Sequence, residues 1–337
     1  MIPGTTPIPQ PSGWQAEMAD AVTDPAQLLA LLELGDEWLP GARAAARLFP
    51  LRVPHPYISR MRRGDPQDPV LRQVLPLADE CIATPDYDTD PVGDRAAMVA
   101  PGVLHKYAGR ALLTVTGACA VHCRYCFRRH FDYAEANPAA DRWRAALKYV
   151  NDDPTISEVI LSGGDPLSLA DRRLGELVNA LAEIPHLTRL RIHTRTAVIL
   201  PSRITDGLLE VLRATRLCAV VVLHINHAQE IDRAVRDALA RLRDAGVTLL
   251  NQSVLLRGVN DNVETLAQLG EALFEAGVLP YYLHVLDKVQ GAAHYDVPEE
   301  QARQLHAGLS ARLPGYLVPR IVREIAGAPR KVALAPI

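Results

Sequence analysis

Cys119, Cys123 and Cys126 place three thiols at positions i, i+4 and i+7, between Gly117 and the cationic pair Arg128 and Arg129. Clustered thiolates are metal ligands, and their number decides which centre they suit. A structural zinc site takes four protein ligands, one more than this loop offers. A [4Fe–4S] cluster also usually takes four cysteines, so three would leave one iron open to a substrate or cofactor. The plainer alternative is a chance group of reduced, buried cysteines, a residue type common in cores. Against it, three of the chain's five cysteines crowd into this one loop.

The elements that must position this loop follow from periodicity. Apolar, β-branched runs occur at 111–116, 157–161, 190–193, 218–224, 248–254 and 281–285. Helical patterns lie between them, near 138–151, 170–184, 202–214, 228–245 and 262–277. Strands alternating with helices predict repeated βα units and a parallel sheet. In such folds the site residues sit at the C-terminal ends of the strands. The cysteines follow the first strand, and Ser162-Gly163-Gly164-Asp165-Pro166 follows the second. Its glycines let backbone approach a ligand closely, and its N–H groups can form a nest for an anion or polar head. Alone, such a turn could close any strand-to-helix connection. Periodicity leaves both a barrel and an open doubly wound sheet in play.

Around this core, residues 1–15 read as a loose arm rich in Pro and Thr. Asp24 reads as an N-cap with Pro25 in the first turn, and Leu28, Leu29, Leu31, Leu32 and Leu34 read as core rather than as a partner-binding stripe. Residues 65–101 are loop-rich. From Pro298 a last helix leads into 316–325 and a tail. The expected division is a helical preface at 1–100, the α/β body at 101–290 and a C-terminal segment at 291–337.

Bulk properties narrow the class. The 337 residues carry a formal charge of −3, which gives no reason to expect a nucleic-acid partner. No apolar run reaches the roughly 18 residues of a membrane span. The start lacks the basic and apolar regions of a signal peptide. An odd count of five cysteines argues against a secreted disulfide framework. The expected compartment is the cytoplasm.

Cys119-Ala-Val-His-Cys123-Arg-Tyr-Cys126 resembles the CxxxCxxC signature of the radical S-adenosylmethionine (SAM) enzymes. The run from Cys123 to Phe131 resembles the lysine 2,3-aminomutase branch. Leu104-His-Lys-Tyr107, Ser162 to Leu167, Asn251 to Asn262 and His284 to His294 extend the likeness over nearly the whole chain. They match the short bacterial form that serves elongation factor P. The resemblance implies an α/β fold: a partial (βα)6 TIM-like barrel with a helical preface and a C-terminal tail that binds pyridoxal 5′-phosphate (PLP). It implies a [4Fe–4S] cluster on the three cysteines. SAM would be contacted by Tyr125, Ser162, Gly163, Gly164, Asp165, Arg195, His224 and Gln252. Lys331, by position alone a solvated surface charge, falls on the lysine that carries PLP. Lys106, Tyr107 and Arg110 fall around the PLP phosphate.

Substrate recognition is implied by the same likeness and fits charge. Arg128 can pair bidentately with an α-carboxylate, which Lys does less well. Asp287 and Glu324 resemble the two acids that grip the ε-ammonium of lysine. The implied reaction is 2,3-migration of the amino group of L-α-lysine to give (R)-β-lysine. A reductant such as flavodoxin or ferredoxin would drive it, and a separate lysyl ligase would attach the product to elongation factor P. Self-association is left open. Two rivals are a mutase for another amino acid such as glutamate, whose side-chain carboxylate two acids would repel, and an iron–sulfur protein without turnover.

Two departures stand out. Position 324 is Glu where the free-lysine-fermenting enzymes have Asp, in keeping with the short form's (R) product. Larger relatives hold zinc with a cysteine near Asn262 and a cysteine-bearing extension, so no zinc is expected. Cys81 and Cys218 are left over, most simply as structural residues.

Overall fold

Asp24 caps the second of four short helices that open the chain. These are α1 (Trp14–Ala19), α2 (Pro25–Leu31), α3 (Leu39–Leu48) and α4 (His55–Ile58) in the computed structural model, which describes residues 13–133 and 143–334. The Asp24 carboxylate accepts from the Ala26 N–H at 3.0 Å, satisfying a donor that the first helical turn leaves orphaned. Most of the expected arm, and the first part of the 138–151 pattern, lie outside the described residues. Leu28, Leu29 and Leu32 are buried. Leu34 is half-buried and Leu31 faces solvent, so the inward stripe is narrower than five leucines. It packs on Tyr57, Leu71 and Leu75, and through them on Ala120 and Val121 of the cysteine loop. The preface and the loop share one core.

The sheet has ten strands whose spatial order follows chain order. They are β1 (Met98–Ala100), β2 (Val103–Tyr107), β3 (Arg110–Thr116), β4 (Glu158–Gly163), β5 (Arg189–Thr194), β6 (Cys218–Leu223), β7 (Thr248–Val254), β8 (Leu279–His284), β9 (Arg320–Arg323) and β10 (Val332–Ala333). Strands β3 to β9 run parallel. Strands β1 and β2 precede them antiparallel, and β10 folds back on β9. Six parallel strands were expected, and β9 makes a seventh. Its four residues, with only Ile321 and Val322 buried, are too few to show a period.

The crossovers carry α5 (Arg144–Asp152), α6 (Asp171–Ala182), the pair α7 (Thr196–Ile199) and α8 (Asp206–Ala214), α9 (Arg233–Asp244), α10 (Val263–Glu275) and α11 (Glu299–Arg312). Their apolar faces meet the outer face of the sheet in the main core, for example Leu177 and Leu181 against Val159 and Leu190. Strand β4 is buried at five successive positions, as a strand covered on both faces must be. The sheet does not close, yet one cavity touches residues from β2 to β10. The sheet therefore wraps that cavity as a partial barrel.

Asn262, where larger relatives place a thiol, caps α10 by accepting from the Thr265 N–H at 2.8 Å. Cys81 and Cys218 are exposed, so neither is the packed structural residue expected. Among the described residues no helix is long and apolar enough to cross a membrane.

Candidate active site

The cysteine loop leaves β3 and is held by the turn that ends β4. Gly164 N–H donates to Thr116 O at 2.7 Å and Asp165 N–H to Ala118 O at 2.8 Å. A Cβ on Gly164 would stand 2.3 Å from Ala118 O, and Gly163 has a φ of +112°. These glycines are therefore required by the approach of two backbones, whatever ligand lies beyond. Asp165 is similarly committed. Its buried carboxylate accepts from the N–H groups of Leu167 (3.0 Å), Arg195 (2.7 Å) and Thr196 (2.9 Å) and from the Thr194 hydroxyl (2.7 Å). It ties the turn after β4 to the turn after β5.

Every residue that the family likeness assigns to cluster, SAM, PLP or substrate lines one cavity of about 1000 Å³. One end is the thiol wall. Burial pushes the Cys126 thiol up to about 11 and raises Cys119 as well. Among the described residues no three His, Cys, Asp or Glu side chains converge to hold one ion. Three thiols spread along a wall instead suit a cubane, whose irons take their cysteines separately. Tyr125 is buried beside them, and its hydroxyl accepts from Arg195 Nη1 at 2.7 Å and from Asn226 Nδ2 at 2.6 Å. Arg195 Nη1 also meets Cys123 Sγ at 2.8 Å. Gln252 and His224 pair at 2.8 Å through their Nε2 atoms. Burial pushes His224 down to about 3, so it is a neutral acceptor for the Gln252 amide.

The other end is a chain of charges. Arg128 Nε meets Asp94 Oδ2 at 2.6 Å, while its Nη1 donates to Ser162 Oγ at 3.1 Å. Lys106 Nζ lies 2.6 Å from Asp94 Oδ1 and 2.9 Å from Glu324 Oε1. Lys331 Nζ lies 2.6 Å from Glu324 Oε2. The hairpin explains the last contact: Val332 pairs with Arg323, so Lys331 falls opposite Glu324. Burial would raise the Glu324 carboxyl, but the ammonium groups of Lys331 and Lys106 hold it at about 2. Asp287 makes no ion pair among the described residues: burial, then the Glu324 charge, lift it to about 7 against the weaker pull of Lys331 and Lys106.

Three features were not foreseen. Asp94, in the loop-rich stretch before β1, has no sequence signal beyond its type. Lys106 is committed to two carboxylates, so among the expected phosphate neighbours Arg110 is the uncommitted cation. It stacks 4.9 Å over the Tyr107 ring and has no carboxylate partner among the described residues. The buried ring nitrogens His193 Nε2 and His284 Nε2 also find no hydrogen-bond partner there, and both residues line the cavity. A cavity with uncommitted donors and an amine beside a carboxylate fits a phosphate-bearing carbonyl cofactor.

Residues 113–270 match the model of the Radical SAM superfamily. Together with the open barrel and the three-cysteine loop, that match defines a radical SAM enzyme, a class that works with a [4Fe–4S] cluster and SAM. The chain is 53% identical over 331 residues to an L-lysine 2,3-aminomutase of Escherichia coli (strain K12), covering 98% of this chain and 96% of that protein. It is 46% identical to one from Haemophilus influenzae, with 99% of each chain covered. To one from Clostridium subterminale it is 33% identical, over 96% of this chain and 78% of the other. The chain belongs to the lysine 2,3-aminomutase family, and it is an isomerase.

Proposed function

We propose that this protein converts L-α-lysine to (R)-β-lysine by 2,3-amino migration, using PLP beside the cluster and SAM. The observation that carries the reading is one cavity with a thiol wall at one end and, at the other, an amine paired with a buried acid. The names of the relatives at 53% and 46% identity support lysine as the substrate.

Cys119, Cys123 and Cys126 hold the cluster. Tyr125, Ser162, Gly163, Gly164, Arg195, His224 and Gln252 form the wall for SAM, with Asp165 fixing its shape. Lys331 carries PLP, with Arg110, Tyr107 and Lys106 beside it. When bound, the cluster and SAM would supply the hydrogen-abstracting radical, and PLP would supply a conjugated carbonyl that holds the nitrogen as it passes from C2 to C3 of lysine. Arg128, its fork fixed by Asp94 and Ser162, orients the α-carboxylate. Asp287 and Glu324 receive the ε-ammonium, and a lysine side chain committed to PLP no longer occupies Glu324. The preface and the tail hairpin exclude water from the reacting carbons.

The enzyme works in the cytoplasm with a flavodoxin or ferredoxin as reductant, and its product is attached to elongation factor P by a separate ligase. The test is anaerobic incubation with SAM, PLP, a reductant and L-lysine, followed by chiral analysis. (R)-β-lysine is expected. Product from glutamate but not lysine, or SAM cleavage without β-lysine, overturns the reading.

A further inference from the structure

Arg195 is buried, and it faces the thiol wall with one arm and the helical preface with the other. Its Nη1 donates to Cys123 Sγ at 2.8 Å and to the Tyr125 hydroxyl at 2.7 Å. Its Nη2 donates to Tyr57 Oη at 2.7 Å, Gln73 Oε1 at 2.6 Å and Glu230 Oε2 at 3.0 Å. Tyr57 and Gln73 come from the preface and in turn donate to Glu230, at 3.0 and 3.2 Å. Glu230 stays ionised: burial acts to raise its carboxyl, and the Arg195 charge and the Asn226 N–H outweigh it.

We infer that Arg195 is a positioning residue that sets the reduction potential of the iron–sulfur cluster through Cys123, and that Tyr57, Gln73 and Glu230 hold it in that place. This rests on the reading of the three cysteines as cluster ligands. The physical reason is general. Hydrogen bonds to a cluster's sulfurs, and the net charge around it, are main levers on its potential. A guanidinium cannot lose its proton, so its charge at the sulfur is fixed. A fixed positive charge and an N–H donor both favour the reduced, more negative cluster. A buried counter-carboxylate moderates that effect. The preface thereby has an electrostatic part in electron uptake beyond covering the cavity.

The test uses the reconstituted full-length protein without SAM, so that any part Arg195 plays in SAM binding does not enter. The readout is the cluster's midpoint potential, followed by electron paramagnetic resonance during a redox titration. Glu230→Gln keeps shape and removes the counter-charge, so the potential should move positive. Tyr57→Phe removes one anchoring hydroxyl and leaves the charged pair intact, so it should move the potential negative. Adding Arg195→Met to Glu230→Gln leaves no unpaired buried charge and should drive the potential below that of Glu230→Gln alone. Folded variants with wild-type iron content and an unchanged potential would overturn the inference. Failure of the wild-type protein to take up a cluster would instead overturn the reading of the cysteines. If Glu230→Gln does not fold, the direction of the Tyr57→Phe shift decides.

Discussion

An ammonium brought out of water needs a carboxylate that is ionised when it arrives, and the two acids here differ in that respect. Asp287 sits at about 7 and Glu324 at about 2. Lysine affinity should therefore rise as pH goes from 6 to 8 and Asp287 ionises. In Asp287→Asn that rise should be gone, with lysine use weakened far more than SAM binding; equilibrium binding across pH checks both. The stability sign runs the other way. The folded value of Asp287 lies above its unfolded value of about 4, so the ligand-free fold loses stability as pH rises from 4 through 7. Asp287→Asn should be more stable than wild type at pH 8, by a few kcal/mol at most, and equal to it at pH 4. Urea melts at the two pH values would show whether it is. Glu324 is depressed, so its contribution is present above about 4 and fades as pH falls toward 2. For Lys331→Ala, PLP trapped by borohydride should vanish while the cluster absorbance persists, and mass spectrometry of reduced wild-type protein should place the adduct on Lys331. An adduct on Lys106 or Lys288 would refute the assignment.

Two turns and a hairpin decide whether those residues meet. In Gly164→Ala the new Cβ meets a backbone oxygen, 2.3 Å away, which no side-chain rotation relieves. The turn after β4 must shift, at a cost of about 1–3 kcal/mol, and the cysteine loop with it. Iron content and SAM affinity should fall together, whereas Gly315→Ala, where no atom lies within 4 Å and the backbone is not in the left-handed region, should spare both. The alternation of strands and helices was legible because each strand is an apolar run of ordinary length and each helix has one apolar stripe. Strand β9 was not, because four residues carry no period. Asp94 was invisible for another reason: its role comes from Arg128 and Lys106, which tertiary packing alone brings to it. Lys331 could be read only through family likeness, since nothing local separates it from a surface lysine until the β9–β10 register sets it beside Glu324.

At the scale of the whole molecule, preface and body are locked by a buried ion triad. Glu80 takes the guanidinium of Arg124 at 2.7 Å and that of Arg129 at 2.8 Å, and the Glu80 and Arg124 side chains are fully enclosed. Glu80→Gln strands two buried cations, a change that costs about 3–5 kcal/mol when a buried pair is broken. Lower thermal stability and loss of iron are expected together, because both arginines flank cluster cysteines. Cys126→Ala should instead lose iron and SAM cleavage while melting near the wild-type temperature. The sheet's order, in which spatial and chain order coincide from β1 to β10, bears on how the protein is born. Each strand can dock on its predecessor as the ribosome delivers it. Cys126 and Lys331 are separated by about 200 residues, roughly 10–40 s of synthesis. The thiol wall can thus be complete well before Lys331 exists, and on the reading proposed above the capture of PLP becomes the closing event of the molecule's manufacture.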